Sequence, residues 1–201
     1  MINQDLKLNF SKSYDSQSEI RNEKEAPEWK EAERETFLNW LTEENKETLL
    51  DLGAGPGKDS LYFKKNGIQP LAVDISARMV AFCKEKGIPS KVMSFDELDF
   101  GGKKFDAVWA MNSLLHVPKK DLEEVLEKID TVLNKNGLFY IGLYGGEDSE
   151  GIWEEDIYEP KRFFSFHSSA AIQKLVSRFF TIENFVVLPP EAWILNLRFS
   201  H

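Results

Sequence analysis

Leu49-Leu50-Asp51-Leu52-Gly53-Ala54-Gly55-Pro56-Gly57-Lys58-Asp59 is the stretch from which the rest of the chain can be read. A short apolar run carrying an acid gives way to glycines at alternate positions, and an amphipathic segment follows. Such a run, bounded by glycine, reads as a buried strand. The glycines mark a tight turn where backbone must approach something closely, and the segment after them opens a helix. A second apolar run, Pro70-Leu71-Ala72-Val73-Asp74, ends in its own acid twenty-three positions after Asp51. Strand, glycine turn, helix and acid-tipped strand compose the nucleoside-binding half of a doubly wound sheet.

Working outward, the same alternation recurs. The helix after the glycine turn presents Leu61, Tyr62 and Phe63 and stops at Asn66-Gly67. Ser76 is a natural N-cap for the next helix, whose Met79, Val80, Phe82 and Cys83 face inward. A third strand is expected over Ser90 to Ser94 and a fourth over Phe105 to Met111, apolar enough for burial on both faces. A helix from Lys119 with Leu122, Val125, Leu126, Ile129 and Leu133 on one stripe is closed by Asn136-Gly137, and Leu138 to Tyr144 supplies strand five. Five such alternations argue a three-layer α/β sandwich. Two closing runs, Ile182 to Leu188 and Ala192 to Phe199, are joined by Pro189-Pro190-Glu191 alone. A link so short holds no crossover helix, so these strands are expected to be antiparallel neighbours.

Two segments stand outside the alternation. Residues 1–45 form an N-terminal arm and helix packing on the core: polar and irregular or briefly helical to residue 26, then helical from Pro27, with Trp29, Phe37 and Leu41 on its inner face. Residues 46–201 form the main domain. Within it, residues 145–160 carry seven acids around Trp153 and Tyr158, a connection long enough to be an insertion or a lid. Arg162 to Phe166 follows as a possible short strand.

The bulk properties narrow the partners. The chain has 201 residues, 42% hydrophobic and 29% charged, which suits one soluble domain with a good-sized core. No apolar run reaches membrane-spanning length, and the N-terminus lacks the layout of a secretion signal. One cysteine, Cys83, makes no internal disulfide and no metal cluster, so no metal is expected and a cytoplasmic location is. A net charge of −9 disfavours nucleic acid, whose binding needs a positive field.

The turn's spacing discriminates among nucleosides. A dinucleotide binder wants Gly-x-Gly-x-x-Gly, but Lys58 stands at the third position, and no Walker A sequence follows. The ligand expected here is one that brings no phosphate to the turn. The residues from Asp51 to Gly57 resemble the first motif of the class I S-adenosylmethionine-dependent methyltransferases. Val73-Asp74-Ile75-Ser76 with Met79 resembles their second motif. Phe105-Asp106-Ala107-Val108, followed by Leu114-Leu115-His116-Val117, resembles the fourth-strand region of the small-molecule branch. Asn136-Gly137-Leu138 is similar to the family's turn into strand five.

The resemblance covers roughly residues 47–144 and implies a seven-stranded, mostly parallel sheet of order 3-2-1-4-5-7-6 with an antiparallel strand 7. It implies S-adenosylmethionine as cofactor and S-adenosylhomocysteine as product. Asp74 is then the acceptor for both ribose hydroxyls, a charge-assisted pair of bonds. Gly53, Ala54, Gly55 and Gly57 let backbone pass beneath the sugar and methionine portion, and Asp51 lies near the ammonium. Ile75 and Met79 line the adenine, and Ala110 offers its carbonyl to the methionine end. Ser94, followed by Phe95, stands where the family often has an aspartate for the adenine amino group; either the serine accepts that bond or Asp96 shifts in.

Methyl transfer is an in-line displacement for which the enzyme supplies alignment and a water-poor site, so no fixed triad is demanded. His116 follows strand four near the acceptor position and is either a proton acceptor or a packing histidine. Asn112 and Ser113 border the same place. Tyr14, Trp153 and Arg162 are further acceptor-side candidates, from the arm and the acidic loop. The expected partner is a small-molecule methyl acceptor. A cofactor-binding regulatory module without turnover and a protein or RNA methyltransferase remain as alternatives.

Overall fold

The computed structural model describes residues 1–188 together with the backbone of 192–199. The chain begins with helices α1 (Gln4–Ser16), α2 (Ser18–Glu23) and α3 (Glu28–Glu43). There follow β1 (Thr48–Leu52), α4 (Lys58–Lys65), β2 (Gln69–Asp74), α5 (Ala77–Glu85), β3 (Ser90–Val92), β4 (Phe105–Met111), α6 (Lys119–Val132) and β5 (Leu133–Tyr144). The last part holds β6 (Ser149–Ile152), β7 (Phe163–Phe166), α7 (Ser169–Val176), β8 (Phe180–Leu188) and β9 (Ala192–Phe199).

Among the described residues the main sheet has seven strands in the order β3-β2-β1-β4-β5-β9-β8. Strands β1 to β5 pair in parallel, and β9 lies antiparallel between β5 and β8. Counted within that sheet this is 3-2-1-4-5-7-6. The Pro189-Pro190-Glu191 link lies outside the described residues. Alternate side chains of β1, β4 and β5 serve opposite layers, as strand geometry requires. Leu50, Val108, Ala110, Phe139 and Ile141 pack with α6 and α7, whereas Leu49, Trp109 and Tyr140 pack with Phe37 and Leu41 of α3 and Phe63 of α4. Burial of each such large apolar side chain stabilises the fold by about 1.5–3 kcal/mol. The indole of Trp109 stacks on Tyr140 at 3.9 Å between ring centroids.

Several boundaries differ from the sequence reading, each for a local reason. Of the two forms open to the first 26 residues the helical one is taken, and it is longer than a brief turn: α1 is capped by Asn3, whose Oδ1 accepts from the amides of Asp5 (2.8 Å) and Leu6 (3.4 Å). Asn136-Gly137 does not cap a helix. Helix α6 ends at Val132, and Asn136, at φ 59, kinks β5 where the register jumps between Phe105 paired with Leu133 and Ala107 paired with Leu138. The acidic connection is only partly loop. Its residues Ser149–Ile152 pair antiparallel with Phe163–Phe166 in a separate two-stranded sheet.

The N-terminal helices are tied across the carboxyl ends of the strands. Asp96, in the turn after β3, accepts from the Ile2 amide at 2.9 Å and from Lys7 Nζ at 2.9 Å. Asp15 accepts from Ser76, Arg78 pairs with Glu19, and Ser13 donates to the Pro160 carbonyl. On the other side of the glycine turn, Asp59 is buried between Arg34 (3.2 Å), Lys30 (3.3 Å) and the Trp109 indole N–H (3.1 Å), which fixes α3 to α4 and β4.

Candidate functional site

In an open α/β sheet, the carboxyl ends of strands flanking the point where strand order reverses leave a crevice. Here that point falls between β1 and β4, and a cavity of about 750 Å³ opens there. Its floor is the glycine turn, its side is the tip of β2, and helices α1 and α2 with the β6–β7 hairpin cover it. Such a volume lies within the range of small-molecule sites.

At one end stands Asp74. Its Oδ2 accepts from the Gly55 amide at 2.8 Å and its Oδ1 from the Ser76 amide at 2.8 Å. A carboxylate has about four lone-pair sites, so acceptor capacity remains on both oxygens. Burial pushes its carboxyl above the usual range, and the two amides and the Arg21 charge work against that. Gly53, at φ 72, passes so close to the wall that a Cβ would lie 2.5 Å from Ser113 Cβ. Asp51 is buried beneath the turn, where Ser60 Oγ donates to it at 2.6 Å; burial, then the neighbouring Asp59 charge, pushes its carboxyl up to about 7.

At the other end Tyr14 of α1 meets His116. The tyrosine hydroxyl is 2.5 Å from Nε2, and Nδ1 is 2.8 Å from the Phe163 carbonyl. Burial drives the imidazole down to about 3, so it is neutral at physiological pH. Arg162 Nη1 approaches the same hydroxyl at 3.3 Å. The guanidinium lies 3.5 Å over the Tyr158 ring and grips Asp156 through Nε (2.8 Å) and Nη2 (2.9 Å). Burial works against its charge, but the Asp156 carboxylate and the Tyr14 oxygen together outweigh burial and hold Arg162 charged.

Most of the residues singled out in the sequence reach this cavity. Asp51, Gly53, Ala54, Gly55, Asp74 and Ile75 line it, with Ser94 and Phe95. Tyr14, Asn112, Ser113, His116, Trp153 and Arg162 line the remainder. Three do not line it. Ala110 is wholly buried inside the sheet, and Met111 and Asn112 come to the wall instead. Met79 is buried in α5. Gly57 faces α5, where a Cβ would meet Cys83 Sγ at 2.8 Å. Ser94 is also committed, its hydroxyl donating to Asp96 Oδ1 at 2.6 Å.

Sequence reasoning missed Arg21. Its guanidinium lies 5.2 Å from the Tyr14 ring centroid, donates to the Tyr158 hydroxyl at 3.1 Å, and is the nearest group above Gly55. In sequence it is one cation in a charged segment, with no local signal to distinguish it. Among the described residues no group of three or more His, Cys, Asp or Glu is arranged to hold a metal ion, and no helix is long and apolar enough to cross a membrane.

Residues 50–141 match the family model described as a methyltransferase domain. Over those residues the chain is similar to the methyltransferase domain family, in keeping with the motifs it shares with the S-adenosylmethionine-dependent enzymes. It is 34% identical over 100 residues to the sarcosine/dimethylglycine N-methyltransferase of Aphanothece halophytica, covering 45% of this chain and 35% of that protein. The chain spans between about a third and a little over half the length of the curated relatives it matches. In fold it is similar to the 1,6-didemethyltoxoflavin-N1-methyltransferase of Burkholderia thailandensis (TM-score 0.75, 20% identity), covering 98% of this chain and 88% of that one. It is also similar to the magnesium protoporphyrin IX methyltransferase of Synechocystis PCC 6803 (TM-score 0.74, 15% identity), over 100% of both chains. The first of these was crystallised with 1,6-didemethyltoxoflavin and S-adenosylhomocysteine, the second with S-adenosylmethionine.

The residues around Asp74 suit such a nucleoside. Asp74 keeps lone pairs for hydroxyl donors, the turn at Gly53 and Gly55 exposes backbone without a Cβ, and Phe95 and Ile75 give apolar flanks. Arg21 Nε is buried without a hydrogen-bond partner at the same wall.

Proposed function

We propose that this protein transfers a methyl group from S-adenosylmethionine to a small-molecule acceptor. The observation that carries the reading is the buried Asp74 at the tip of β2, with unused acceptor capacity, opening into one cavity with Tyr14 and His116. Asp74 would take the ribose hydroxyls, Gly53 to Gly55 the sugar and methionine portion, Asp51 the ammonium, and Ile75, Ser94 and Phe95 the adenine. When bound, S-adenosylmethionine supplies an electrophilic methyl on a sulfonium. The chain's own residues supply alignment and exclusion of water: α1 and α2 roof the cavity, while Asn112, Ser113, His116, Trp153 and Arg162 form the acceptor side.

The roof supports a small acceptor over a macromolecular one, as do the net charge of −9 and the small substrates named for the relatives. On this reading residues 1–45 are an acceptor-side arm added to a methyltransferase domain of 46–201, and the single buried Cys83 suits a cytoplasmic setting.

The test has two stages. Calorimetric titration with S-adenosylhomocysteine measures cofactor binding, and S-adenosylhomocysteine release from S-adenosylmethionine in the presence of small amines, alcohols and heterocycles measures turnover. Binding in the micromolar range with acceptor-dependent release is the expected result. No binding would refute the reading, and binding without release from any acceptor would favour a regulatory cofactor-binding module.

A further inference from the structure

The hydrogen-bonding roles at the Tyr14 hydroxyl follow from what each neighbour is able to do. The Phe163 carbonyl, 2.8 Å from Nδ1 of His116, only accepts, so Nδ1 carries the proton of the neutral ring. Nε2 is then a bare lone pair, and the Tyr14 hydroxyl 2.5 Å away donates to it. Arg162 Nη1, 3.3 Å from the same oxygen, only donates. A hydroxyl has one proton and two lone pairs. Its proton is committed to His116 and one lone pair to Arg162, which leaves one lone pair on a residue that lines the cavity. His116 has both ring nitrogens engaged by protein groups. In the lining of the same cavity, Asn112 Oδ1 is buried with no hydrogen-bond partner, and its backbone is held at φ 52 directly after β4.

We propose that the Tyr14 hydroxyl, rather than the His116 ring, is the group that touches the methyl acceptor, and that Tyr14 Oη and Asn112 Oδ1 together select an acceptor bearing an N–H or O–H. The proposal rests on reading the cavity as a methyltransferase site. His116 and Arg162 are positioning residues. The first holds the hydroxyl proton and the second one lone pair, and each is itself fixed, by the Phe163 carbonyl and the Asp156 carboxylate. An acceptor N–H or O–H donated to Tyr14 fixes the direction of the nucleophile's own lone pair, which is the orientation an in-line displacement needs. Thioethers and tertiary amines offer no such donor and leave the remaining Tyr14 lone pair and Asn112 Oδ1 unused.

Sinefungin, an S-adenosylmethionine analogue with a C–NH2 group in place of S–CH3, puts N–H donors where the transferred methyl points. Calorimetric titration of sinefungin and S-adenosylhomocysteine against wild type, Tyr14→Phe, His116→Leu and His116→Gln gives the ratio of the two affinities for each. Wild type is expected to prefer sinefungin about tenfold, the factor one good hydrogen bond supplies. Tyr14→Phe should bring the ratio to about twofold or less, and His116→Leu should lose most of the preference. His116→Gln, whose amide oxygen still accepts from Tyr14, should retain it. Equal ratios in wild type and Tyr14→Phe, or a loss in His116→Gln as complete as in Tyr14→Phe, would overturn the assignment. Should Tyr14→Phe not fold, His116→Leu and His116→Gln read the same contact from its other end. Failure of wild type to bind S-adenosylhomocysteine refutes the underlying methyltransferase reading instead.

Discussion

Gly57→Ala separates two roles that a glycine in this turn could have. Gly57 precedes α4 at φ 79, and a Cβ there would stand 2.8 Å from Cys83 Sγ and 3.0 Å from Ile88 Cδ1. The left-handed backbone costs an alanine about 1–2 kcal/mol. Overpacking adds about 1 kcal/mol, the low end of its range, because both obstructing atoms are side-chain ends that can turn aside. The sum, about 2–3 kcal/mol, corresponds to a fall of about 4–12 °C in Tm for a chain of this size. Cys83→Ala removes the nearer of the two obstructions, so the double variant should recover about 0.5 kcal/mol or more of coupling in a four-cornered cycle. Unfolding in urea, followed by circular dichroism, measures all four corners. Because Gly57 does not line the cavity, folded Gly57→Ala should bind S-adenosylhomocysteine within about twofold of wild type. Gly53→Ala, whose Cβ would strike Ser113 at the cavity wall, should lose stability and binding together. A Gly57→Ala protein within about 0.5 kcal/mol of wild type, or one that keeps its stability but loses tenfold in affinity, would refute the packing role.

Asp74→Ala should weaken S-adenosylhomocysteine binding by about 1.5–3 kcal/mol, roughly 10- to 150-fold, by removing charged acceptors for the ribose; calorimetry checks this. Asp51 gives a pH dependence of known sign. Its folded carboxyl is raised from 3.8 to about 7, so the folded state binds the proton more tightly, and stability falls as pH rises from about 4 through 7 at up to about 1.4 kcal/mol per unit. Asp51→Asn should flatten that part of a Tm-against-pH curve, and an unchanged slope would count against the assignment. Asp96 has the opposite sign. Burial alone would raise it, but bonds from Ser94, Lys7 and Ile2 hold it low, so its contribution is present at neutral pH and lost as pH falls below about 4. Asp96→Ala should therefore cost about 1.5–3 kcal/mol at pH 7 and expose the first 26 residues to limited proteolysis. Retained protection there would show that α1 is held by other contacts.

The sheet was legible because its signals are local. A nearly continuous apolar run, such as Phe105 to Met111, states both that it is a strand and that both faces are covered. The short link after Leu188 compelled an antiparallel neighbour for β8, and β9 takes that place. Asn136-Gly137 misled because a left-handed residue ends a helix and kinks a strand with the same backbone angle. The extent of the helices over residues 4–23 was hidden because few apolar positions mark it. Its anchors are ion pairs and hydrogen bonds to Asp96, Ser76, Arg78 and Pro160, none of which leaves a periodic trace.

The sequence by itself determined the succession of strands and helices along the chain, the glycine turn and the acid at the tip of β2, since backbone sterics and the alternation of a strand act over a few residues; the order of the strands across the sheet was implied only by the family resemblance. What only the tertiary structure decided is what roofs that turn and which side chains meet there. Gly53 and Gly57 are equivalent in sequence, yet one bounds the cavity and the other packs on Cys83, because the next helix happens to cross one and not the other. Tyr14 and His116 are 102 positions apart and Tyr14 and Arg162 148 apart. Their meeting depends on how the N-terminal helices and the β6–β7 hairpin lie across the layers, and packing between distant segments leaves no local pattern to read.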